Sequence, residues 1–239
     1  MHDIPSFYEA FEQGDIPELS DTNMHHMLNV LRMKSGEECF LCNGKGIQYH
    51  IQLTSVGKRK VEYQIKDTQQ FNHNTEGFIL AIAFTKNPAR MEWLIEKACE
   101  IGVKAIVPLI TERSERLHFK ADRFRKILIS AMLQSRRYFL PEMYEPQSLQ
   151  SVISWPIPIK TLAHCMDMGI KKQLSQLVQA NQELIVCIGP EGDFTEAEVL
   201  ACEHAGFQSI TLGQQRLRTE TAGLFSLAQY HTALQMQTL

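Results

Sequence analysis

No apolar run in this 239-residue chain approaches the ~20 residues needed to cross a bilayer. The opening residues Met1-His2-Asp3-Ile4-Pro5 lack a basic n-region and an apolar h-region, so cytoplasmic residence is the expectation. Catalytic and metal signatures are also missing. No G-x-x-x-x-G-K-[ST] or G-x-S-x-G occurs, which argues against P-loop nucleotide chemistry and a serine hydrolase. Cys39-Phe40-Leu41-Cys42 has no second CxxC and lies in a predicted strand, where a redox pair would open a helix. His25-His26 are adjacent on a predicted helix and point in different directions, so one is expected to pack against the neighbouring sheet. The other histidines show no ligand or catalytic spacing, and no metal is expected. Six scattered cysteines in a chain too large to need stapling read as reduced and mainly buried. Membrane partners are not expected either.

Charge is scarce as a net quantity, at -3, but unevenly spread. Residues 1 to 72 hold ten acids and seven bases, while residues 73 to 239 hold seventeen of each. From Lys104 to Arg137, nine bases face three acids, a local +6. Salt confines each charge's influence to roughly 8 Å, so such a block can bind phosphates on a protein that is acidic overall.

The residues present organise into two parts. Asp21 or Thr22 can cap a short helix carrying Met24, Met27, Leu28 and Leu31. Strands over 38–42, 47–56 and 61–67, separated by Asn43-Gly44-Lys45-Gly46 and Gly57-Lys58-Arg59-Lys60, predict a closed or nearly closed antiparallel barrel. The polar stretch 69–76 has linker composition, which divides the chain into 1–72 and 73–239. Beyond it strands alternate with helices, the pattern of a mainly parallel sheet. Strands are expected at 78–84, 103–110, 159–165, 184–188 and 209–212. Helices are expected from Pro88 to Gly102, over 121–138 and 170–180, from the Thr195/Glu198 capping box to His204, and from a Thr219 cap through Met236.

Two of these strands end in loops of unusual content. Leu184 to Ile188 runs into Gly189-Pro190-Glu191-Gly192, and the strand ending at Leu212 runs into Gly213-Gln214-Gln215-Arg216-Leu217-Arg218-Thr219-Glu220-Thr221-Ala222. Ligands of α/β proteins bind at the carboxyl ends of strands, which puts a small-molecule pocket near residues 189 to 222. The first loop lacks the G-x-G-x-x-G spacing of a dinucleotide site. Close backbone approach with Ile188, Leu212 and Leu217 suits an adenosine moiety held by main-chain hydrogen bonds. A turn of Gly and Pro can also be only a turn.

These residues resemble the signature of a known family. Gly189-Pro190-Glu191-Gly192 with Phe194 and Glu198, Leu212-Gly213, and Leu217 to Ala222 are similar to the bacterial 16S rRNA uridine-N3 methyltransferases, the RsmE family of the SPOUT superfamily. His25-His26 with Val30-Leu31-Arg32, Lys86 through Arg90, Glu96-Lys97, Gly102-Val103, and Gln134-Ser135 with Arg137 and Pro141 resemble its other motifs in order and spacing. The resemblance implies a PUA-like β-barrel that helps hold RNA, followed by an α/β methyltransferase domain tied in a trefoil knot, and action as a homodimer on 16S rRNA of the small ribosomal subunit. It implies S-adenosylmethionine held by Ile188, Gly189, Glu191, Gly192, Leu212, Gly213, Leu217, Arg218 and Ala222, with Leu162 and His164 closing the pocket. Asp193 and Leu133 depart from the family's usual glycine and a more polar residue.

The implied chemistry has one difficult step, because uridine N3 becomes a nucleophile only when its imide proton leaves. Arg218 is the expected cation for the resulting anion, with Glu220 or Glu191 orienting groups or relaying the proton. Glu220 can equally serve as a first-turn carboxylate on a helix dipole. Arg32, Arg136 and Arg137 are candidates for RNA phosphates. The other readings are a non-catalytic RNA-binding module using the barrel and the basic block alone, and an adenine-nucleotide enzyme of another type.

Overall fold

The computed structural model describes residues 4–57, 60–72, 77–115 and 119–237. The chain forms two compact units, Met1–His73 with Ile129–Leu140, and Asn74–Leu128 with Pro141–Leu239. Lys58 and Arg59 of the predicted hairpin, His73, and Arg116 and His118 of the basic block lie outside the described residues.

The first unit is built on a four-stranded sheet in the order β1 (Ser6–Tyr8), β2 (Glu38–Cys42), β3 (Ile47–Val56) and β4 (Val61–Gln70). β2, β3 and β4 pair antiparallel, as alternation and Gly-containing turns demand. β1 joins the edge in parallel, and no ladder among the described residues joins β1 to β4. Of the expected closed or nearly closed antiparallel barrel, the antiparallel β2-β3-β4 pairing is present, and the edge strand β1 is parallel instead. Register shifts at His50/Ile51 and Leu53/Ser55 twist it around a core of Phe7, Met27, Leu41, Ile51 and Leu53. β4 runs three residues beyond Asp67, into what composition suggested was linker.

Two local expectations change here. The short helix α1 (Asp21–His25) is capped by Ser20, whose hydroxyl accepts from Asn23 N, and continues as a π-helical turn over His26–Val30. Leu31 is exposed, and Arg32 takes the left-handed φ of 55° that ends the turn. His26 packs edge-on against Phe7, the sheet-packing role expected of one of the two histidines. The segment 129–140 docks through Gly46 N to Tyr138 O and Leu140 N to Gly44 O, with Tyr138 stacked on Phe71 at 3.5 Å.

The second unit is a parallel sheet. Its strands are β5 (Phe78–Ala83), β6 (Ala105–Ile110), β7 (Glu142–Met143), β8 (Gln147–Ser148), β9 (Ile159–Ala163), β10 (Lys172–Gln173), β11 (Leu184–Ile188) and β12 (Gln208–Thr211). The order is β10-β12-β9-β11-β5-β6-β7, with β8 also on β6. Near-continuous apolar runs such as Phe78-Ile79-Leu80-Ala81-Ile82-Ala83 suit strands covered on both faces. One face is buried with Val199, Cys202 and Phe194. The other packs α2 (Pro88–Ile101) and α6 (Thr219–Gln237), where Phe78 meets Tyr230.

Helix boundaries follow the sequence where capping chemistry is local. Asn87 caps α2 and Gly102, at φ 115°, stops it. The Thr195/Glu198 capping box opens α5 (Glu196–His204) as read. α3 (Ala121–Gln134) stops four residues short of Tyr138, where the Ser135 hydroxyl turns back to Ala131 O and Arg136 adopts φ 54°. The helix expected over 170–180 is instead β10 followed by a 3-10 turn, Leu174–Gln176; the remaining helix, α4, is a single turn at Leu149–Val152.

Candidate active site

Three adjacent strands, β12, β9 and β11, end level with one another, because Ala163 pairs with both Ile188 and Ile210. Their carboxyl-end loops enclose a cleft of about 870 Å³. The first wall is Ala163 to Met166 with Lys171, the second Ile188 to Glu191 with Asp193, and the third Ile210 to Thr219 with Ala222. Both loops singled out in the sequence thus face one hollow.

Each wall is held by specific bonds. A Cβ on Gly189 would stand 3.1 Å from the ring of Phe194, which is fully buried, so a side chain there requires the ring or the turn to shift by a few tenths of an ångström. Gly189 O accepts the Thr219 hydroxyl at 3.2 Å, tying the second wall to the start of α6. Thr219 is thereby the first residue of α6 and not its side-chain cap. Asp193, at the family's glycine position, adopts the left-handed φ of 62° that asparagine and aspartate tolerate. Its Oδ2 accepts the backbone N–H of Cys165 at 2.7 Å. Arg113 Nη1 donates to the carbonyls of Gly192 and Phe194, and Lys171 Nζ to those of His164 and Met166.

The structure places the predicted residues unequally. Ile188, Gly189, Glu191, Leu212, Gly213, Leu217, Arg218, Ala222 and His164 line the cleft. Leu162 does not: strand alternation turns it into the core beside Cys187, completely buried. Gly192 is set back from the cleft, with its carbonyl engaged by Arg113. Glu220 faces a second cleft of about 580 Å³, with Asn87, Arg90, Trp93 and Thr221. Arg218 lines both clefts. Glu220 is buried, Oε1 lies 3.6 Å from Arg90 Nε, and Oε2 has no hydrogen-bond partner among the described residues. Arg32, Arg136 and Arg137 all belong to the first unit.

Three members of the basic block have partners within the second unit. Arg113 braces the cleft, Lys104 pairs with Glu183, and Arg123 makes a two-nitrogen contact with Glu92. Five cysteines are buried and only Cys165 is exposed. Burial pushes Cys39 and Cys202 up to about 12 and raises Cys42 and Cys187, which leaves the CxxC pair a poor nucleophile and a poor ligand. No group of three metal-ligating side chains occurs among the described residues.

Sequence reasoning missed Arg113 and Ser209, with partners 79, 81 and 45 residues away, and also Lys171 and Glu203, whose partners stand five to seven residues away. Arg90 and Trp93 stood inside a recognised stretch without an assigned part.

Fold and site together define a parallel α/β protein that takes a ligand where three strand ends meet. The family described as RNA methyltransferase domain matches residues 73–231, and the RNA methyltransferase PUA domain family matches residues 19–66. The chain belongs to this RNA methyltransferase family. A solved structure from Porphyromonas gingivalis titled "probable rRNA-methyltransferase" is 34% identical, with a TM-score of 0.91 over 98% of this chain and 100% of that one. The ribosomal RNA small subunit methyltransferase E of Neisseria gonorrhoeae, solved bound to S-adenosyl methionine, is 30% identical with a TM-score of 0.78, covering 99% and 98%. The protein of that name from Bacillus subtilis is 27% identical over 95% of this chain and 94% of its own.

Proposed function

We propose that this chain transfers a methyl group from S-adenosylmethionine to N3 of a uridine in the 16S rRNA of the small ribosomal subunit. The observation that carries the reading is Arg218, which borders both the larger cleft and the cleft that holds Glu220. The larger cleft fits the cofactor in size, in its apolar and main-chain walls, and in one buried unpartnered acceptor, His164 Nδ1. Its holders are Ile188, Gly189, Glu191, Leu212, Gly213, Leu217, Ala222 and His164.

Bound there, S-adenosylmethionine supplies an electrophilic methyl. The protein's task is the base. The uracil enters the second cleft beside Trp93, and the Arg218 guanidinium stabilises negative charge on a carbonyl oxygen flanking N3. Glu220 Oε2 accepts the imide proton, with Arg90 orienting the carboxylate through Oε1. Burial and the missing partner favour Glu220 over the exposed Glu191 for this part.

The reading extends to architecture. Residues 1–72 form the RNA-holding PUA-like domain and residues 73–239 the methyltransferase domain, with Arg32, Arg136 and Arg137, all in the first compact unit, as phosphate contacts. A trefoil knot is supported by strand order, since β12 follows β11 in sequence yet pairs beyond β9, while Thr219 returns to Gly189. A homodimer is supported by Trp93 and Phe225, apolar and exposed on the two packed helices α2 and α6. The rRNA substrate puts the work in the cytoplasm.

Mass mapping of 16S rRNA from cells with and without the gene tests the function. Loss of one N3-methyluridine is expected, and an unchanged map would overturn it. Titration calorimetry separates the alternatives: no heat with S-adenosylmethionine would favour a non-catalytic RNA-binding module, and tighter NAD or ATP binding would favour another nucleotide enzyme.

A further inference from the structure

One of the residues that line the cleft, His164, begins a polar chain through Ser209 and Glu203, neither of which lines the cleft or has a part in the proposed chemistry. His164 is 7% exposed at the end of the first wall. Its Nε2 lies 2.9 Å from Ser209 Oγ on β12, and Ser209 Oγ lies 3.1 Å from Glu203 Oε1 on α5. Its other nitrogen, Nδ1, is buried and has no hydrogen-bond partner among the described residues. A buried acceptor left unmet costs about 1–3 kcal/mol, and this one belongs to a residue that lines the cleft.

The direction of the chain follows from what each group can do. A carboxylate only accepts, so the single O–H of Ser209 points to Glu203. The Ser209 oxygen then has only lone pairs to offer His164, and Nε2 must carry the hydrogen. In the neutral ring Nδ1 is left as a bare lone pair. We propose that Ser209 and Glu203 are positioning residues that fix the Nε2–H tautomer of His164, so that Nδ1 accepts an N–H or O–H group of the bound cofactor. This inference rests on S-adenosylmethionine occupying the larger cleft.

The surroundings favour the neutral ring. Burial, then the Lys171 ammonium, lower the His164 pKa from its ordinary value, while Asp193 and Glu203 act in the opposite direction. Protonation would turn Nδ1 into a donor facing the cofactor's donor. Affinity should therefore be full near neutral pH and fall as pH drops through the depressed value. Relayed tautomer control of this kind is common around histidines that must present one chosen nitrogen.

The test uses the full chain labelled with 15N-histidine and S-adenosylhomocysteine as the probe. Wild-type His164 should show a protonated Nε2 and a bare Nδ1, and adding the probe should shift the Nδ1 resonance. Ser209→Ala should give a mixture of tautomers and weaken the probe about 3- to 10-fold, with the KM for S-adenosylmethionine rising and kcat little changed. His164→Asn, whose side-chain oxygen can stand near Nδ1, should bind like wild type at neutral pH and lose the acid dependence, whereas His164→Phe should bind weakly at every pH. A bare Nε2 in the wild type, or unchanged tautomer and affinity in Ser209→Ala, would overturn the relay. Probe binding that leaves the His164 resonances untouched would instead remove the cofactor from this cleft.

Discussion

The Asp193 carboxylate accepts the backbone N–H of Cys165 at 2.7 Å, so the turn after β11 clasps the turn after β9. Aspartate does two things there that glycine could do only by halves. It accepts the left-handed φ of 62°, and it supplies an anion to a main-chain donor 28 residues away in sequence. Glycine would keep the turn and lose the clasp. Asp193→Gly should weaken S-adenosylhomocysteine several-fold in calorimetry and lower Tm by roughly 2–4 °C, the response of a chain this size to about 1 kcal/mol. Asp193→Ala should cost more, because the left-handed backbone adds about 1 kcal/mol of strain. Equal melting of the two variants would show that the φ matters little.

Gly189 makes a steric prediction at the same turn. Its missing Cβ leaves room for the Phe194 ring at 3.1 Å and the Phe194 backbone nitrogen at 3.3 Å, and that ring is fully buried against the sheet. Gly189→Ala must displace either the ring or the loop. Overpacking of a tight site costs about 1–3 kcal/mol, so denaturant melts should move to lower midpoints with unchanged slope. Because Gly189 O also receives the Thr219 hydroxyl, cofactor affinity should fall with stability. A variant that melts and binds like wild type would mean the turn has slack.

Much of this was legible in the sequence because its cause was local. The apolar run Leu184 to Ile188 is a strand to the residue, and the Thr195/Glu198 capping box and Gly102 fix helix ends through bonds spanning a few residues. The misread stretch shows the reverse. Leu174, Leu177 and Val178 are buried at helix-like spacing, yet Ile170 is 92% exposed and the chain spends Lys172–Gln173 pairing with β12, a contact no local pattern announces. Leu162 was within reach of period-two reasoning, since Ala163, the next residue of β9, lines the cleft and the two must face opposite sides, while His164 lies beyond the strand's end. Arg113 was not, because its carbonyl partners stand 79 and 81 residues away. The pocket's loops were readable, and the groups that hold them in place were not.

The lowered pKa of His164 also predicts how stability depends on pH. An imidazole that resists protonation in the folded state takes up protons more readily when unfolded. Its contribution is therefore complete above the ordinary histidine value and is lost as pH falls from there through the depressed folded value. Thermal melts from pH 7.5 to 5 should show a steeper loss for wild type than for His164→Asn, measured without ligand. Parallel curves would place the acid sensitivity at other groups.

Arg218 and Glu220 are consecutive but for one residue, yet they carry different predictions because Arg218 borders both clefts and Glu220 only the second. If the guanidinium acts on charge that develops at the base, Arg218→Ala should weaken cofactor binding modestly while methyl transfer falls about 100- to 1,000-fold, the usual cost of deleting one preorganised charge stabiliser. Comparable losses in both would reduce Arg218 to a binding residue. Glu220→Gln keeps the shape and removes the proton acceptor. It should leave S-adenosylhomocysteine affinity near wild type and lower kcat by about 100-fold. The competing part for Glu220, a carboxylate on the first turn of α6, predicts another pattern: a loss of about 0.3–1 kcal/mol in stability with the rate profile intact. Single-turnover rates from pH 5 to 9, taken beside thermal melts of the same variants, separate the two, and a glutamine variant that melts low but methylates at the wild-type rate would return Glu220 to the helix.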